Sequence, residues 1–423
     1  MLFHCNFFAF CEDFQSSPDA AGGRDGKKLV QFGAGNIGRS FIGQLFARGG
    51  YEVVFIDINP LIVDSLNRQR KYRIIIKRND LPDEEIVVEN VRAVDGKDAD
   101  RAAAEIANTS ILATSVGKSA LPHILPVIAK GLVERQKNSP GLSLDIIIAE
   151  NVRNAADFFK QELANNLPRG YPFEKLIGLV ETSIGKMVPI MKEEDIQKDP
   201  LWIFAEEYNS LILDKKSFKN PIPKINGIQP VENIAAYVDR KLFIHNLGHA
   251  ASAYFGFQHN PGFIFVWEAL KTLKIFSRVK NCMHQAAAAL NREYPADLSM
   301  TALNAHIDDL LARFQNKALG DTIFRVGRDL YRKLGKDDRL VGAMLLAKKH
   351  DLECGTMAEA VLAACGFRAC DEHGGLYPDD QKFADKDFPL GINHILTTVC
   401  KLSAENPLES AVMEEILTRA KRG

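Results

Sequence analysis

The sequence predicts a two-domain α/β protein, a parallel-sheet domain followed by a mostly α-helical one. Three observations predict it. From Lys27 onward, short wholly apolar segments alternate with segments of helical periodicity. A glycine-rich turn separates the first such strand from the first helix. After a Pro/Gly break at 221–230 (PIPKINGIQP), helical patterning takes over almost completely. A length of 423 residues also exceeds one ordinary domain and suits two.

The elements follow in order. Residues 29–32 form a short apolar strand. Residues 37–47 place Ile37, Phe41, Ile42, Leu45 and Phe46 on one helix face, and 53–56 form a second apolar strand. Continuous rather than alternating apolar strands imply burial on both faces, as in a parallel sheet. Segments 110–114 and 146–149 continue this pattern, with a helix at 121–132 between them. The alternating segments 72–77 and 85–89 suit a peripheral hairpin, and 176–183 and 202–205 extend the sheet. Helices are predicted over 231–255, 262–292, 299–314, 320–334, 338–350, 356–366 and 406–421. The expected division is an extension at 1–26, a sheet domain at 27–220 and a helical domain at 221–423.

Composition excludes several function classes. Lys and Arg number 53 against 54 Asp and Glu, which excludes a generally basic nucleic-acid binder and an acidic disordered chain. The seven cysteines are odd in number and form no C-x-x-C pair, so reduced thiols and a cytoplasmic setting are expected. No apolar run reaches the roughly 20 residues that span a bilayer. The apolar start MLFHCNFFAF lacks a Lys or Arg before Arg24, so it reads as an extension and not as a secretory signal.

Gly33-Ala34-Gly35-Asn36-Ile37-Gly38 is G-x-G-x-x-G between a strand and a helix, the setting that makes this motif informative. It points to a Rossmann-type domain that binds a dinucleotide. The first glycine permits the tight turn, the second lets backbone approach a pyrophosphate, and the third lets helix and strand pack closely. The helix N-terminus offers free N–H groups to the phosphates. Asp57 ends the second strand, 19 residues after Gly38. Its carboxylate suits ribose hydroxyls and repels a 2′-phosphate, which favours NAD (NADH) over NADP. Phe32, Ile58 and the turn Ser115-Val116-Gly117 complete the expected cofactor contacts.

Lys241, Asn246 and His249 stand at i, i+5 and i+8. On an α-helix these directions fall within about 140°. Lys241 is suited to acid/base work, Asn246 to donating a hydrogen bond to an alkoxide, and His249 to positioning a hydroxyl. Spacing alone fits a solvated helix face equally well. Arg325, Arg328 and Arg332 fall at i, i+3 and i+7, followed by Lys333, Lys336 and Arg339. Such a face suits a phosphate, or else pairs with Asp329, Asp337 and Asp338.

The stretches LVQFGAGNIGRSFIG (29–43), FIDIN (55–59), ATSVG (113–117), AENVR (149–153), VDRKLFIHNLGHAASAYFG (238–256) and RVGRDLYRKLGKDDRL (325–340) resemble the polyol-specific long-chain dehydrogenase/reductase (mannitol dehydrogenase) family. The resemblance runs from Lys27 to about Arg368. It implies a Rossmann domain plus a helical domain, metal-independent catalysis and a monomer. Lys241 is then the acid/base, Asn151 and Asn246 bind the oxyanion, and His249 binds substrate. Similarity to the phosphate-specific branch implies interconversion of mannitol 1-phosphate and fructose 6-phosphate. A sugar phosphate is then the partner, bound through Arg325, Arg328, Arg332 and Lys333.

One stretch departs from the family pattern. Ile184-Gly185-Lys186-Met187-Val188-Pro189 stands where V-D-R-I-V-P is usual, so the Asp–Arg pair is missing. Three other readings stay open: a sister enzyme for a free polyol or hexuronate, a non-catalytic NAD-binding regulator, and a zinc alcohol dehydrogenase. Against the last, His245 and His249 are spaced to chelate, but neither Cys nor H-E-x-x-H completes a site. His245 is expected as an ordinary helix residue.

Overall fold

The computed structural model describes residues 27–79, 81–189, 191 and 193–421. The expected extension at 1–26 lies outside them. Among the described residues eleven strands form two sheets: β1 Lys28–Phe32, β2 Glu52–Asp57, β3 Lys71–Ile76, β4 Glu84–Glu89, β5 Val91–Asp95, β6 Ile111–Thr114, β7 Leu144–Ile148, β8 Ile177–Ser183, β9 Ile203–Ala205, β10 Leu211–Asp214 and β11 Ile228–Val231. The main sheet runs β11-β10-β8-β7-β6-β1-β2-β5. Its six strands from β5 to β8 are all parallel. The order β5-β2-β1-β6-β7-β8 is that of a Rossmann fold, with its switch point between β1 and β6.

The apolar strands follow from this layering. Leu29, Phe55, Ala113 and Ile147 face one core with Phe41, Ile42 and Phe46 of the first helix. Their neighbours Val30, Ile56, Leu112 and Ile146 face the other, with Leu125, Ile128 and Leu132. Each strand serves two cores, so no polar alternation remains. Burial of side chains this size contributes about 1.5–3 kcal/mol each.

The sheet differs from expectation at its edges. β3 and β4 do pair as a hairpin, but β9 joins β3 in a second three-stranded sheet and does not extend the main one. β10 runs antiparallel to β8, and β11 pairs with β10. The main sheet therefore continues to Val231, past residue 220. Pro230 is tolerated there because β11 is an edge strand.

The helical domain packs around Leu273–Glu293, whose Val279, Met283 and Ala286 are fully or almost fully buried. The predicted helix at 262–292 is divided at Thr272 into Val266–Leu270 and Leu273–Glu293. The helix at 234–259 is continuous but not uniformly α: Ile234–Arg240 and Leu247–His259 flank a π-helical turn, Lys241–Asn246. The predicted helix at 320–334 is broken. Ile323–Gly327 ends at Arg328, Asp329 takes φ 75, and Leu330–Lys333 starts anew. No helix among the described residues is long and apolar enough to cross a membrane.

Candidate active site

The carboxyl ends of β1, β6 and β7 meet the 234–259 helix, and the groups singled out in the sequence gather there. Gly33 takes φ 89, and a Cβ on it would lie 2.6 Å from the Ser115 carbonyl oxygen. At Gly38 a Cβ would lie 1.9 Å from the Gly33 carbonyl oxygen. At Gly35 a Cβ would meet nothing within 4 Å. The first and third glycines thus serve the fold, and the second leaves an open cradle that fits a pyrophosphate. Gly38→Ala forces backbone apart, so we expect lost NADH binding and a lower Tm. Wild-type NADH affinity in that variant would refute the packing role.

Asp57 accepts hydrogen bonds from the Ala34 N–H (2.7 Å) and the Asn59 N–H (2.9 Å). It lines a cleft of about 510 Å³ with Ala34, Gly35, Asn36 and Arg325. Ile37, Asn36, Ser115, Val116 and Gly117 line the adjoining cleft of about 690 Å³, together with Asn151, Lys241, Asn246 and His249. Phe32 is buried beneath the turn and Ile58 is exposed beside Asp57; neither lines these two clefts.

Lys241 Nζ donates to Asn151 Oδ1 at 3.0 Å. The π turn matters here. On an α-helix, residues five apart point about 140° from each other, whereas a π turn stacks i over i+5. Lys241 and Asn246 are the first and last residues of that turn. Burial, aided by nearby Arg339, pushes the Lys241 ammonium down to about 8. This places its proton exchange close to neutrality.

Glu150 precedes Asn151 and went unnoticed in the sequence, where only its place in AENVR marked it. Its carboxylate accepts the Val116 and Gly117 N–H groups, both at 2.9 Å. That ties the end of β7 to the turn after β6 and sets where Asn151 stands. Burial raises the Glu150 pKa.

His249 stacks on Phe314, with centroids 4.9 Å apart and planes 10° apart. Its Nε2 lies 2.8 Å from Asp321 Oδ2, without the alignment of a hydrogen bond. Asp321 is paired with Arg325. Burial first, then Arg325 and Arg339, hold the imidazole down to about 3. His249 is therefore neutral at physiological pH. His245 is buried against the same Phe314 (5.6 Å), and burial holds its pKa well below the usual value. No three His, Cys, Asp or Glu among the described residues are grouped to hold a metal ion.

The basic face predicted at 325–333 is corrected by the helix break. Arg328 turns to Phe324 and Tyr377, 5.5 and 5.3 Å from their ring centroids, and lines neither of the two clefts. Lys333 is buried and donates to the carbonyls of Val326 (2.8 Å) and Arg328. Burial pushes its pKa down to about 7. Arg325, Arg332 and Lys333 do line the cleft, on two separate short helices, and Arg339 joins them, but the Lys333 ammonium is spent on those two carbonyls. At the departure from the family pattern, Lys186 is buried and donates to the carbonyls of Tyr208 (2.8 Å) and Glu206 (3.1 Å). Burial pushes it down to about 8. Glu206 in turn takes Arg313 Nη2 at 2.6 Å.

Comparison with known proteins matches residues 27–227 to the mannitol dehydrogenase Rossmann domain and 233–389 to the mannitol dehydrogenase C-terminal domain. The chain belongs to the mannitol dehydrogenase family. It is an NAD-dependent oxidoreductase of the polyol dehydrogenase kind. Among the family's members it is 32% identical to the mannitol-1-phosphate 5-dehydrogenase of Brevibacillus brevis over 391 residues, 91% of this chain and 96% of that protein. Its fold is that of a D-sorbitol dehydrogenase in substrate-free form (TM-score 0.72, 17% identity, 93% of each chain). It is also that of the Pseudomonas fluorescens mannitol 2-dehydrogenase in a ternary complex with NAD and D-mannitol (TM-score 0.68, 16% identity, 93% of this chain and 94% of that one).

Asp57 gives a further test of the cradle. Asp57→Ala removes the carboxylate that suits a ribose and repels a phosphate. NAD binding should weaken roughly 10-fold or more, the worth of a charged hydrogen bond, and discrimination against NADP should narrow. Unchanged Kd values for both cofactors would dismiss this role.

Proposed function

We propose that this protein interconverts D-mannitol 1-phosphate and D-fructose 6-phosphate with NAD(H). The observation that carries the reaction type is the Lys241–Asn151 pair, 3.0 Å apart at the carboxyl edge of β7, beside the glycine cradle. The relative from Brevibacillus brevis supports the substrate.

Held by the 33–38 turn, Asp57 and the 115–117 turn, NADH would supply the hydride for the ketone carbon and NAD would accept it in the reverse direction. In the reducing direction the Lys241 ammonium gives its proton to the carbonyl oxygen. In oxidation the neutral amine removes it. Asn151 spends its Oδ1 on Lys241, which leaves its N–H donors for the developing oxyanion. Asn246, on the same turn, supplies a second donor. Neutral His249, held flat by Phe314, is placed to hydrogen-bond a substrate hydroxyl.

The test offers fructose 6-phosphate, fructose and fructuronate separately with NADH and follows loss of absorbance. We expect turnover with fructose 6-phosphate well above the other two. A preference for free fructose or fructuronate overturns the substrate assignment. Silence with all three favours a non-catalytic NAD-binding protein.

A further inference from the structure

On the side of Lys241 away from the glycine turn, the cleft opens into a chamber of about 640 Å³. It shares Asn151, Lys241, Asn246, Arg332 and Arg339 with the cofactor-side cleft, but its walls include no residue of the turn from Gly33 to Gly38. Seven of its lining residues are Lys or Arg and only three are Asp or Glu. A ligand in this chamber meets a net positive wall.

Most of those cations are already committed. Arg153 pairs with Asp239 (2.7 Å) and Lys336 with Glu409 (2.9 Å). Arg332 pairs with Asp329 (2.5 Å) and Arg339 with Asp338 (2.7 Å). Lys241 holds Asn151. Lys118 and Lys401 remain: both are exposed, and neither makes an ion pair with a described residue. They come from opposite domains. Lys118 follows the positive-φ Gly117 in the turn after β6. Lys401 follows the helical stretch ending at Ile395–Val399.

The backbone at Lys401 adds a separate observation. Its φ is 60, left-handed, and the Leu402 N–H returns to the Leu396 carbonyl at 3.0 Å. This is a helix-terminating turn at which glycine or asparagine is at home. A lysine there is strained, and strain on a chamber wall is commonly kept for function. The loop is anchored as well, because the Lys336 N–H donates to the Cys400 carbonyl at 3.1 Å.

We propose that this chamber is the anion subsite, in which Lys118 and Lys401 bind the substrate's terminal phosphate, one from each domain. The inference rests on the sugar-phosphate reading above and relocates the phosphate contact away from Arg328 and Lys333. With the ketone carbon at Lys241 and the cofactor on the glycine side, the rest of an open hexose chain extends into this chamber. A dianion there meets two uncommitted ammonium groups against a positive wall.

Steady-state kinetics with NADH test it on the full-length chain. The variants are Lys118→Gln, Lys401→Gly and the double variant. Lys401→Gly suits the local backbone, so a loss there cannot be laid to folding. The quantity read is the ratio of kcat/KM for fructose 6-phosphate to that for fructose. We expect this ratio to fall roughly tenfold per lysine, and inorganic phosphate to lose its competition with fructose 6-phosphate. A ratio unchanged in the double variant, while wild type reduces fructose 6-phosphate, overturns the subsite. If wild type does not reduce fructose 6-phosphate, the reaction assignment fails, and thermal stabilisation by inorganic phosphate alone then decides the subsite. Stabilisation of wild type but not of the double variant supports it; equal stabilisation, or none, overturns it.

Discussion

Lys241→Ala is expected to lower turnover by about 10²–10⁴-fold, the usual worth of a positioned acid/base, while NADH binds nearly as before. The cradle explains the second half of that result. Gly35, Asp57 and the 115–117 turn lie on the Rossmann side and owe nothing to the Lys241 side chain. The pH dependence has a definite sign. Burial lowers Lys241 from 10.5 to about 8. Ketone reduction needs the ammonium, so its kcat/KM should hold below pH about 8 and fall tenfold per unit above it. Polyol oxidation needs the amine and should rise through the same region. Paired pH–rate profiles check this. Undiminished turnover in Lys241→Ala, or profiles in the two directions that do not cross over, would remove Lys241 from the reaction.

The sequence was informative where function depends on local pattern. The glycine turn, Asp57 and the alternating cores of β1 and β2 are set by neighbours within one βαβ unit, and the structure places them together. Lys241, Asn246 and His249 were also legible as a group. Their true geometry was not, because a π turn leaves no signature in hydrophobic periodicity. Asn151 stands ninety residues from Lys241 and came from resemblance, not from spacing, and its supporting Glu150 was missed.

What stayed hidden depends on distant partners. The pattern at 320–334 reads as one helix, yet the buried Asp380 carboxylate takes the N–H groups of Asp329 and Leu330 and holds the chain open there. A partner 50 residues away overrides local propensity, and Arg328 is swung off the cleft as a result. β11 was hidden for a similar reason. Its Pro230 looks like a breaker, and only its edge position makes it a strand. Lys186 read simply as a lost Asp–Arg pair, whereas it is a buried brace for the 206–209 segment.

That brace belongs to an interdomain latch, and Arg313→Ala should be strongly destabilising. Arg313, near the end of helix Met300–Phe314, binds Glu206 of the sheet domain through two hydrogen bonds, Nε to Oε2 at 2.8 Å and Nη2 to Oε1 at 2.6 Å. It also donates to the Gly185 carbonyl at 2.6 Å. The side chains are only 12% and 4% exposed, so screening by solvent is slight. Deleting the arginine leaves the buried Glu206 carboxylate with the Met187 N–H and the nearby Lys186 ammonium as its remaining support, a loss of up to about 3–5 kcal/mol. Removing both partners should cost less than removing Arg313 alone, because the under-paired carboxylate goes with the arginine. The effect reaches the chemistry through the next residue. Phe314 stacks on His249, so a loosened helix end should raise KM for the sugar more than it alters NADH binding. Denaturant unfolding of Arg313→Ala, Glu206→Ala and the double variant, with KM for sugar and Kd for NADH on each, tests both claims. A loss below about 1 kcal/mol would class the pair with weak surface bridges. Additive losses in the double variant would show that the two charges do not depend on each other, and an unchanged KM would separate the latch from the site.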